Sequence, residues 1–108
     1  MTTTYKVLGQ SNPSANTDTT LYTVPSATST IVSTINVANL GTSGTFRIAI
    51  RVGGASISNE DYIAYDVPLN ANDSIAYTLG ITLATTDVVT VRASNTSFAF
   101  GAFGSEIS

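Results

Sequence analysis

Residues 45–52 read Thr-Phe-Arg-Ile-Ala-Ile-Arg-Val, and this stretch decides the fold. Apolar and polar residues alternate, the pattern of a strand whose successive side chains point to opposite faces. One side carries the apolar set, formed by Phe46, Ile48, Ile50 and Val52. The other side carries Thr45, Arg47, Ala49 and Arg51. The stretch therefore predicts a central strand of an antiparallel sandwich, with one face in a core and the other facing water or a partner.

Short segments with the same alternation recur along the chain. Turn residues separate them at the spacing typical of a sandwich or barrel, and no window shows the helical i, i+3, i+4 pattern. The other predicted strands are residues 5–10, 21–24, 30–39, 62–67, 74–79, 88–93 and 97–103, with a short apolar edge at Ile81 and Leu83. The sequence thus predicts an all-β fold, an antiparallel β-sandwich of about 8–9 strands, as a single domain over residues 1–108. Jelly-roll and immunoglobulin-like topologies both fit, and no Cys…Trp…Cys framework points to a true immunoglobulin domain.

The same patterns predict how individual strands pair and face. A short connection joins strands 30–39 and 45–52, so we expect these two strands to form a hairpin. Gly80 should mark a bulge or bend. In strand 62–67, one face should hold Ile63, Tyr65 and Val67, and the other Tyr62, Ala64 and Asp66. The sets expected to face inward elsewhere are Ile75, Tyr77 and Leu79, then Val89, Val91 and Ala93.

Composition excludes several classes of function. Charged residues make up only 10% of the chain, and the net charge of −3 includes just four cations, Lys6, Arg47, Arg51 and Arg92. Nucleic-acid binding needs a basic patch, so we expect none. The chain has no Cys and no His, which removes thiolate metal sites and the commonest general base. A surface rich in Thr, Ser and Asn with so little charge is suited to oligomers and assemblies.

Targeting and membrane signals are absent from the sequence. Residues 1–6 lack the basic segment and apolar run of a signal peptide, and no apolar stretch approaches the roughly 20 residues of a membrane helix. We therefore expect synthesis in a cytoplasm and no contact with a membrane.

No set of residues predicts catalysis or a cofactor. The seven carboxylates lie mostly in predicted turns, where Asp normally stabilises the turn itself. A calcium site at Glu60 and Asp61 would need a second loop, and the spacing matches no EF-hand. No Gly-x-Ser-x-Gly elbow or Gly-rich phosphate loop occurs. The sequence predicts a protein that is not an enzyme, with no catalytic residue, cofactor or metal.

Three residues are candidates for an interface. Arg47 and Arg51 share the polar face of one strand, about 13 Å apart at the usual rise per residue. They either cover apolar surface with their stems or contact acidic residues of a neighbouring subunit, since Arg is enriched at interfaces. Near the end of the chain, Phe98 and Phe100 are expected in the core. Phe103 should lie on the opposite face, where a partner chain would cover it.

A succession of strand and turn motifs runs along nearly the whole chain. The motifs are Leu8-Gly-Gln10, Thr20-Leu-Tyr-Thr-Val-Pro25, Val32-Ser-Thr-Ile35, Thr45-Phe-Arg-Ile48, Tyr62-Ile-Ala-Tyr-Asp-Val-Pro68 and Asp87-Val-Val-Thr-Val91. Their order resembles a family of small structural proteins from tailed bacteriophages. The resemblance implies a virion component assembled in the host cytoplasm, with other virion proteins as partners, and it transfers no functional residue.

Three functions follow from the fold and the resemblance. The first is a capsid decoration (cement) protein, a homo-oligomer that stabilises the shell by binding only the assembled lattice. The second is a tail, neck, baseplate or fibre-associated structural protein. The third is a carbohydrate-binding module for host-surface glycans, in which Tyr5, Tyr22 and Tyr62 would stack on sugars.

Overall fold

Eight strands form two four-stranded antiparallel sheets that pack face to face. The structure is a computed structural model that describes residues 1–108. Its only helices are two 3₁₀ turns, Val52–Gly54 and Asn59–Asp61, so no helix is long and apolar enough to cross a bilayer. The strands are β1 (Thr3–Ser11), β2 (Thr19–Thr23), β3 (Ser29–Asn39), β4 (Gly44–Arg51), β5 (Tyr62–Leu69), β6 (Ser74–Leu83), β7 (Val88–Ala93) and β8 (Phe98–Ile107).

The strand order is that of a jelly roll. Sheet A has the order β1-β8-β3-β6, and sheet B has the order β2-β7-β4-β5. Every connection except β4–β5 crosses from one sheet to the other, as in two interleaved Greek keys. An immunoglobulin-like sandwich would instead pair its first two strands within one sheet. The predicted β-sandwich is confirmed, and of the two predicted topologies the chain adopts the jelly roll.

The core fills the space between the two sheets around Phe46. Its ring centroid lies 6.2 Å from that of Phe98, 6.1 Å from that of Phe100 and 6.3 Å from that of Tyr77. Phe46 comes from sheet B and the other three rings from sheet A, so this cluster joins the sheets. Aromatic pairs at such separations add to the free energy gained by burial alone. The alternation predicted for β4 is confirmed at Phe46 and Ile48, which are both buried.

The prediction is wrong at the end of β4. Val52 was expected on the buried face, but its side chain is 71% exposed. The strand ends at Arg51, and the chain then turns through Gly53 and Gly54, which both adopt positive φ. Glycine reaches this region without steric cost. Val52 therefore belongs to the turn and lies outside the sandwich.

The predicted hairpin between β3 and β4 is also wrong. β3 pairs with β6 and β8 in sheet A, whereas β4 pairs with β5 and β7 in sheet B. Residues 40–43 carry the chain from one sheet to the other. The buried Asn39 side chain fixes this crossing by donating to the carbonyls of Thr42 (2.8 Å) and Leu69 (3.0 Å). Each strand can then bury its apolar face against the opposite sheet.

A bulge in β5 divides the sets of side chains predicted to share a face of that strand. Phe46 pairs with Val67 and Ile48 with Ala64, so β5 has one extra residue between these pairs, and Asp66 within this bulge has a φ of 50°. Val67 packs against the core, whereas Tyr65, predicted on the same face, is 56% exposed on the outside. The predicted grouping is therefore wrong at Val67, because alternation restarts after a bulge.

A second bulge, in β6, is one that the sequence predicts. Val32 pairs with Ile81 and Thr34 with Thr78, which leaves one extra residue in β6, and Gly80 has a φ of 63°. The bulge predicted at Gly80 is therefore confirmed. It also turns Leu79 outward to 50% exposure, contrary to the predicted inward position.

The beginning of β1 and the end of β8 lie beside each other at one corner of sheet A. The amide of Thr2 donates to the carbonyl of Ser108 (2.6 Å), and the amide of Ser108 donates to the carbonyl of Thr2 (2.9 Å). β1 and β8 are thus paired along most of their length, from Thr3 opposite Ile107 onward.

Candidate functional site

Charged side chains are absent from the outer face of sheet A. The strands of this sheet contain only two charged residues, Lys6 and Glu106. Glu106 accepts hydrogen bonds from the hydroxyl of Tyr22 in sheet B (2.5 Å) and from Lys6 (3.3 Å). Both charges therefore sit on the inner side, at the margin of the sandwich. The outer face of sheet A, here called the neutral face, presents only apolar and uncharged polar side chains.

An apolar patch lies on the neutral face. Val7 pairs directly with Phe103, and Ser105 lies between Tyr5 and Ile31 in the next row across the sheet. Tyr5 is 84% exposed and Val7 is 50% exposed. These neighbours form a continuous surface, since residues two apart on a strand share a face.

Phe103 lies on the neutral face, half buried, as the sequence predicts, whereas Phe98 and Phe100 are in the core. Its ring lies over Gly101, where a side chain's Cβ would come within 3.0 Å of the ring. Gly101 thus makes room for the ring.

Four charges form a row across the outer face of sheet B. The order across the strands is Asp66, Arg47, Arg92 and Asp18, and this set is called the charge row. Arg47 donates to Asp66 through Nε (2.7 Å) and through a terminal nitrogen (3.3 Å). Arg92 lies 3.5 Å from Asp18. The two-pronged bond from Arg47 fixes its guanidinium in one orientation.

Ionisation within the charge row follows from these contacts. The hydrogen bond from Arg47 holds the pKa of Asp66 below its ordinary value, and the positive charge of Arg92 acts in the same direction. The same bond raises the pKa of Arg47 above its ordinary value. Both partners are therefore charged at neutral pH.

Two tyrosines stand beside Arg47. The guanidinium carbon of Arg47 lies 4.2 Å from the ring centroid of Tyr65, within the range of a cation–π interaction. The ring of Tyr65 meets that of Tyr62 edge to face, with centroids 4.8 Å apart. Together with Asn59, these tyrosines line a shallow hollow of about 360 Å³, called the aromatic hollow. It is the one place on sheet B where exposed aromatic rings meet.

Arg51 supports a turn of its own chain. Its guanidinium donates to the carbonyls of Gly54 (2.6 Å) and Ala55 (2.8 Å). Asp87 holds the same turn by accepting from the amide of Gly53 (2.8 Å). Both arginines predicted as interface residues thus have partners within the chain, and they present their remaining surface on the outside of sheet B.

The three tyrosines expected to stack on sugars lie in different places. Tyr22 is only 7% exposed, and its hydroxyl bonds Thr30 and Glu106, so it cannot stack on a ligand. Burial and the bond to Glu106 raise the pKa of Tyr22 to about 12. Tyr5 lies on the neutral face and Tyr62 in the aromatic hollow. Sequence reasoning misses Tyr65, because unbroken alternation groups it with Val67, which packs against the core.

The carboxylates in the turns stabilise those turns, as predicted. Asp61 accepts from the amide of Ser58 (3.0 Å), and Asp87 accepts from the amide of Ala84 (2.9 Å). Nowhere do three carboxylates come together in a group that could hold a metal ion. The role of these residues is local hydrogen bonding.

Neither a protein-family model nor a curated protein matches this chain. The resemblance to small virion proteins of tailed bacteriophages therefore rests on the strand and turn motifs quoted above. The function has to be argued from the neutral face, the charge row and the aromatic hollow.

Proposed function

We propose that the chain is a structural component of a phage virion, a capsid decoration protein that binds the assembled shell through the neutral face. The observation that carries this proposal is the separation of charge in the molecule. Sheet A presents an outer face with no charged side chain, and the charged side chains lie on sheet B, on the loops and at the margin. Jelly rolls are a common building unit of viral shells.

The chemistry of the neutral face suits contact with another protein. Burying a charge is costly unless it is paired, whereas Thr, Asn and Ser can exchange water for hydrogen bonds with a partner. Tyr5, Val7 and Phe103 add apolar surface at one end. The expected partner is therefore an uncharged and partly apolar surface on the shell.

The size of the face implies weak binding by a single copy. Four strands spaced about 4.8 Å apart and about eight residues long cover roughly 500 Å². Covering this face would bury roughly 1,000 Å² in total, the lower limit for a specific interface. An oligomer that attaches through several copies raises the effective affinity. We accordingly propose that the protein acts as a homo-oligomer.

The mechanism is mass action. A protein that binds the assembled lattice but not free shell subunits stabilises the lattice by its binding free energy. Particles produced by a phage from which the gene for this chain has been deleted should be less resistant to heat. Adding the purified protein to these particles should restore their heat resistance. Unchanged resistance would contradict the proposal. The copy number in purified particles separates the two structural roles. A copy number that scales with the number of shell subunits supports decoration. A copy number equal to that of a single ring in the tail would contradict decoration and support a tail-associated role.

A matched pair of variants tests the face itself. Val7→Lys places a charge on the neutral face, and Val52→Lys places the same charge on an exposed turn beside sheet B. We expect Val7→Lys to bind particles that lack the protein at least about tenfold more weakly than the unmodified protein does. A tenfold loss of affinity corresponds to a loss of about 1.4 kcal/mol in binding free energy. Val52→Lys should bind like the unmodified protein. Equal binding by the two variants would show that the neutral face is not the attachment surface.

A further inference from the structure

We propose that the aromatic hollow formed by Asn59, Tyr62 and Tyr65 is a binding site for a neutral saccharide. The site lies on the outside of sheet B, on the side opposite the neutral face. It does not depend on the virion assignment, since it rests on different residues and is tested in solution.

The two rings are held in place before any ligand arrives. Tyr62 and Tyr65 pack edge to face at 4.8 Å, and the Arg47 guanidinium lies 4.2 Å from the centre of the Tyr65 ring. Arg47 is itself held by the two-pronged bond to Asp66. A ligand therefore has little side-chain freedom to remove when it binds, and such preorganisation favours affinity.

The backbone is distorted at the point where it exposes Tyr65. Asp66, the next residue, adopts a φ of 50°, which is uncommon outside glycine. The resulting bulge turns Tyr65 away from the core, and bulges are over-represented where a side chain is re-aimed beside a functional site. With unbroken alternation, Tyr65 would face the same side as Val67, which packs against the core. The fold thus maintains an exposed aromatic ring by means of an unfavourable backbone conformation.

The chemistry of the hollow matches a sugar ring. The two tyrosines offer the ring surface that Arg47 and their mutual contact leave open, each with a hydroxyl at its tip. Asn59 offers an amide that donates and accepts. A pyranose has the complementary form, with C–H groups on one face and hydroxyls around its edge. None of the three lining side chains is charged, and Glu60 and Asp61 lie next to them in the chain. This favours a neutral sugar over an acidic one.

A proline-rich peptide is the main competing ligand, since it also docks on aromatic side chains. Such a peptide is extended and needs a groove with successive aromatic positions. The hollow is lined by three residues only, which suits one sugar unit. We expect a Kd of about 1 mM for a single methyl glycoside, in line with the small number of atoms engaged.

The test is an NMR titration of the purified 108-residue protein. The probes are methyl glycosides of glucose, galactose, mannose and N-acetylglucosamine, then sialic acid, then a proline-rich peptide, each to about 10 mM. We expect at least one neutral glycoside to shift the resonances of Asn59, Tyr62 and Tyr65. Tyr62→Ala and Tyr65→Ala should weaken this binding about tenfold or more. Tyr5→Ala, which removes an exposed tyrosine from the neutral face, should leave it unchanged.

Tyr65→Phe guards against a loss of folding, because it keeps the ring and removes only the hydroxyl. Its spectrum should match that of the unmodified protein elsewhere, and its affinity should fall by less than that of Tyr65→Ala. The proposal is overturned if no neutral glycoside shifts the hollow. It is equally overturned if sialic acid or the peptide binds there in preference, or if binding survives both alanine variants. None of these results bears on attachment through the neutral face.

Discussion

Arg47 and Arg92 stand directly opposite each other on neighbouring strands of sheet B. Like charges in this position destabilise a sheet. Each arginine has an aspartate on its far side, Asp66 for Arg47 and Asp18 for Arg92. The two positive charges in the middle of the charge row are therefore flanked by a negative charge at each end. The aspartates offset the repulsion between the two cations.

Removing Asp66 should therefore destabilise the fold. Asp66→Asn takes away the negative charge but keeps a residue type that tolerates positive φ. We expect a lower melting temperature at low salt, with a smaller difference at about 1 M salt, where the Debye length falls to about 3 Å. Asp73→Asn is the control, because it changes the net charge equally in a turn without an arginine partner. Equal melting temperatures for the two variants would contradict the proposed compensation.

The buried hydroxyl of Tyr22 should make the fold sensitive to alkali. Its pKa is about 12 in the folded chain, against about 10 in an unfolded chain. Between these values the folded state holds a proton that the unfolded state has lost, so stability falls as pH rises, by at most about 1.4 kcal/mol per unit. In chemical denaturation between these pH values, Tyr22→Phe should show a flatter dependence. An unchanged slope would exclude Tyr22 as the cause.

Glu106 should produce the opposite dependence in acid. Hydrogen bonds from Tyr22 and Lys6 lower the pKa of Glu106 in the folded chain. Its contribution is fully present above the unfolded pKa of about 4.3 and is lost as pH falls through the lower folded value. Glu106→Gln cannot titrate, so the variant should lose less stability than the unmodified protein on acidification. Denaturant midpoints measured across this range would show it, and parallel curves would refute it.

Thr90 carries a buried hydroxyl without a hydrogen-bond partner. The residue is 3% exposed, on the outer side of sheet B opposite Ala49. Thr90→Val keeps the shape and removes the unsatisfied group, so we expect it to stabilise the fold by about 1 kcal/mol.

The matched control is Thr30→Val, since the Thr30 hydroxyl is equally buried but bonds Tyr22 at 2.8 Å. This variant should lower the free energy of unfolding. If urea denaturation shows that Thr90→Val also lowers the free energy of unfolding, the Thr90 hydroxyl is not an unsatisfied group.

Two phenylalanines should differ sharply in their contribution to stability. Phe46 is buried at the centre of the aromatic cluster, and Phe46→Ala should cost about 3–5 kcal/mol. Phe103 lies half buried on the neutral face, so Phe103→Ala should cost less than half as much. Denaturant unfolding measures both. Similar losses would mean that Phe103 is part of the core.

The strands and the core were predictable because period-two alternation is a local signal. It correctly identifies the inward positions of Phe46, Ile48, Val89 and Val91. It cannot show whether consecutive strands pair or cross between sheets, because a short connection serves either arrangement. The alternation therefore wrongly predicts a hairpin of β3 and β4, whereas the Asn39 side chain fixes the crossing between the sheets.

Bulges limit how much of the candidate site can be predicted from the sequence. Gly80 indicates its bulge in the sequence, because glycine adopts positive φ freely. Asp66 gives no comparable signal, so unbroken alternation wrongly groups Tyr65 with Val67, and of the residues in the aromatic hollow the sequence identifies only Tyr62. Arg47 was found from its position on the polar face, but its partners depend on the bulge and on the folding of β5 beside β4.

The paired ends of β1 and β8 have a practical consequence for how this unit can be attached to other chains. Thr2 and Ser108 exchange two backbone hydrogen bonds, so an incoming and an outgoing polypeptide would meet at one corner. A domain whose termini are adjacent can be inserted into a surface loop of another protein. It can also be circularly permuted by joining its termini with a short linker that does not cross the sandwich. Cargo fused at that corner would extend from the same edge, whichever terminus is chosen.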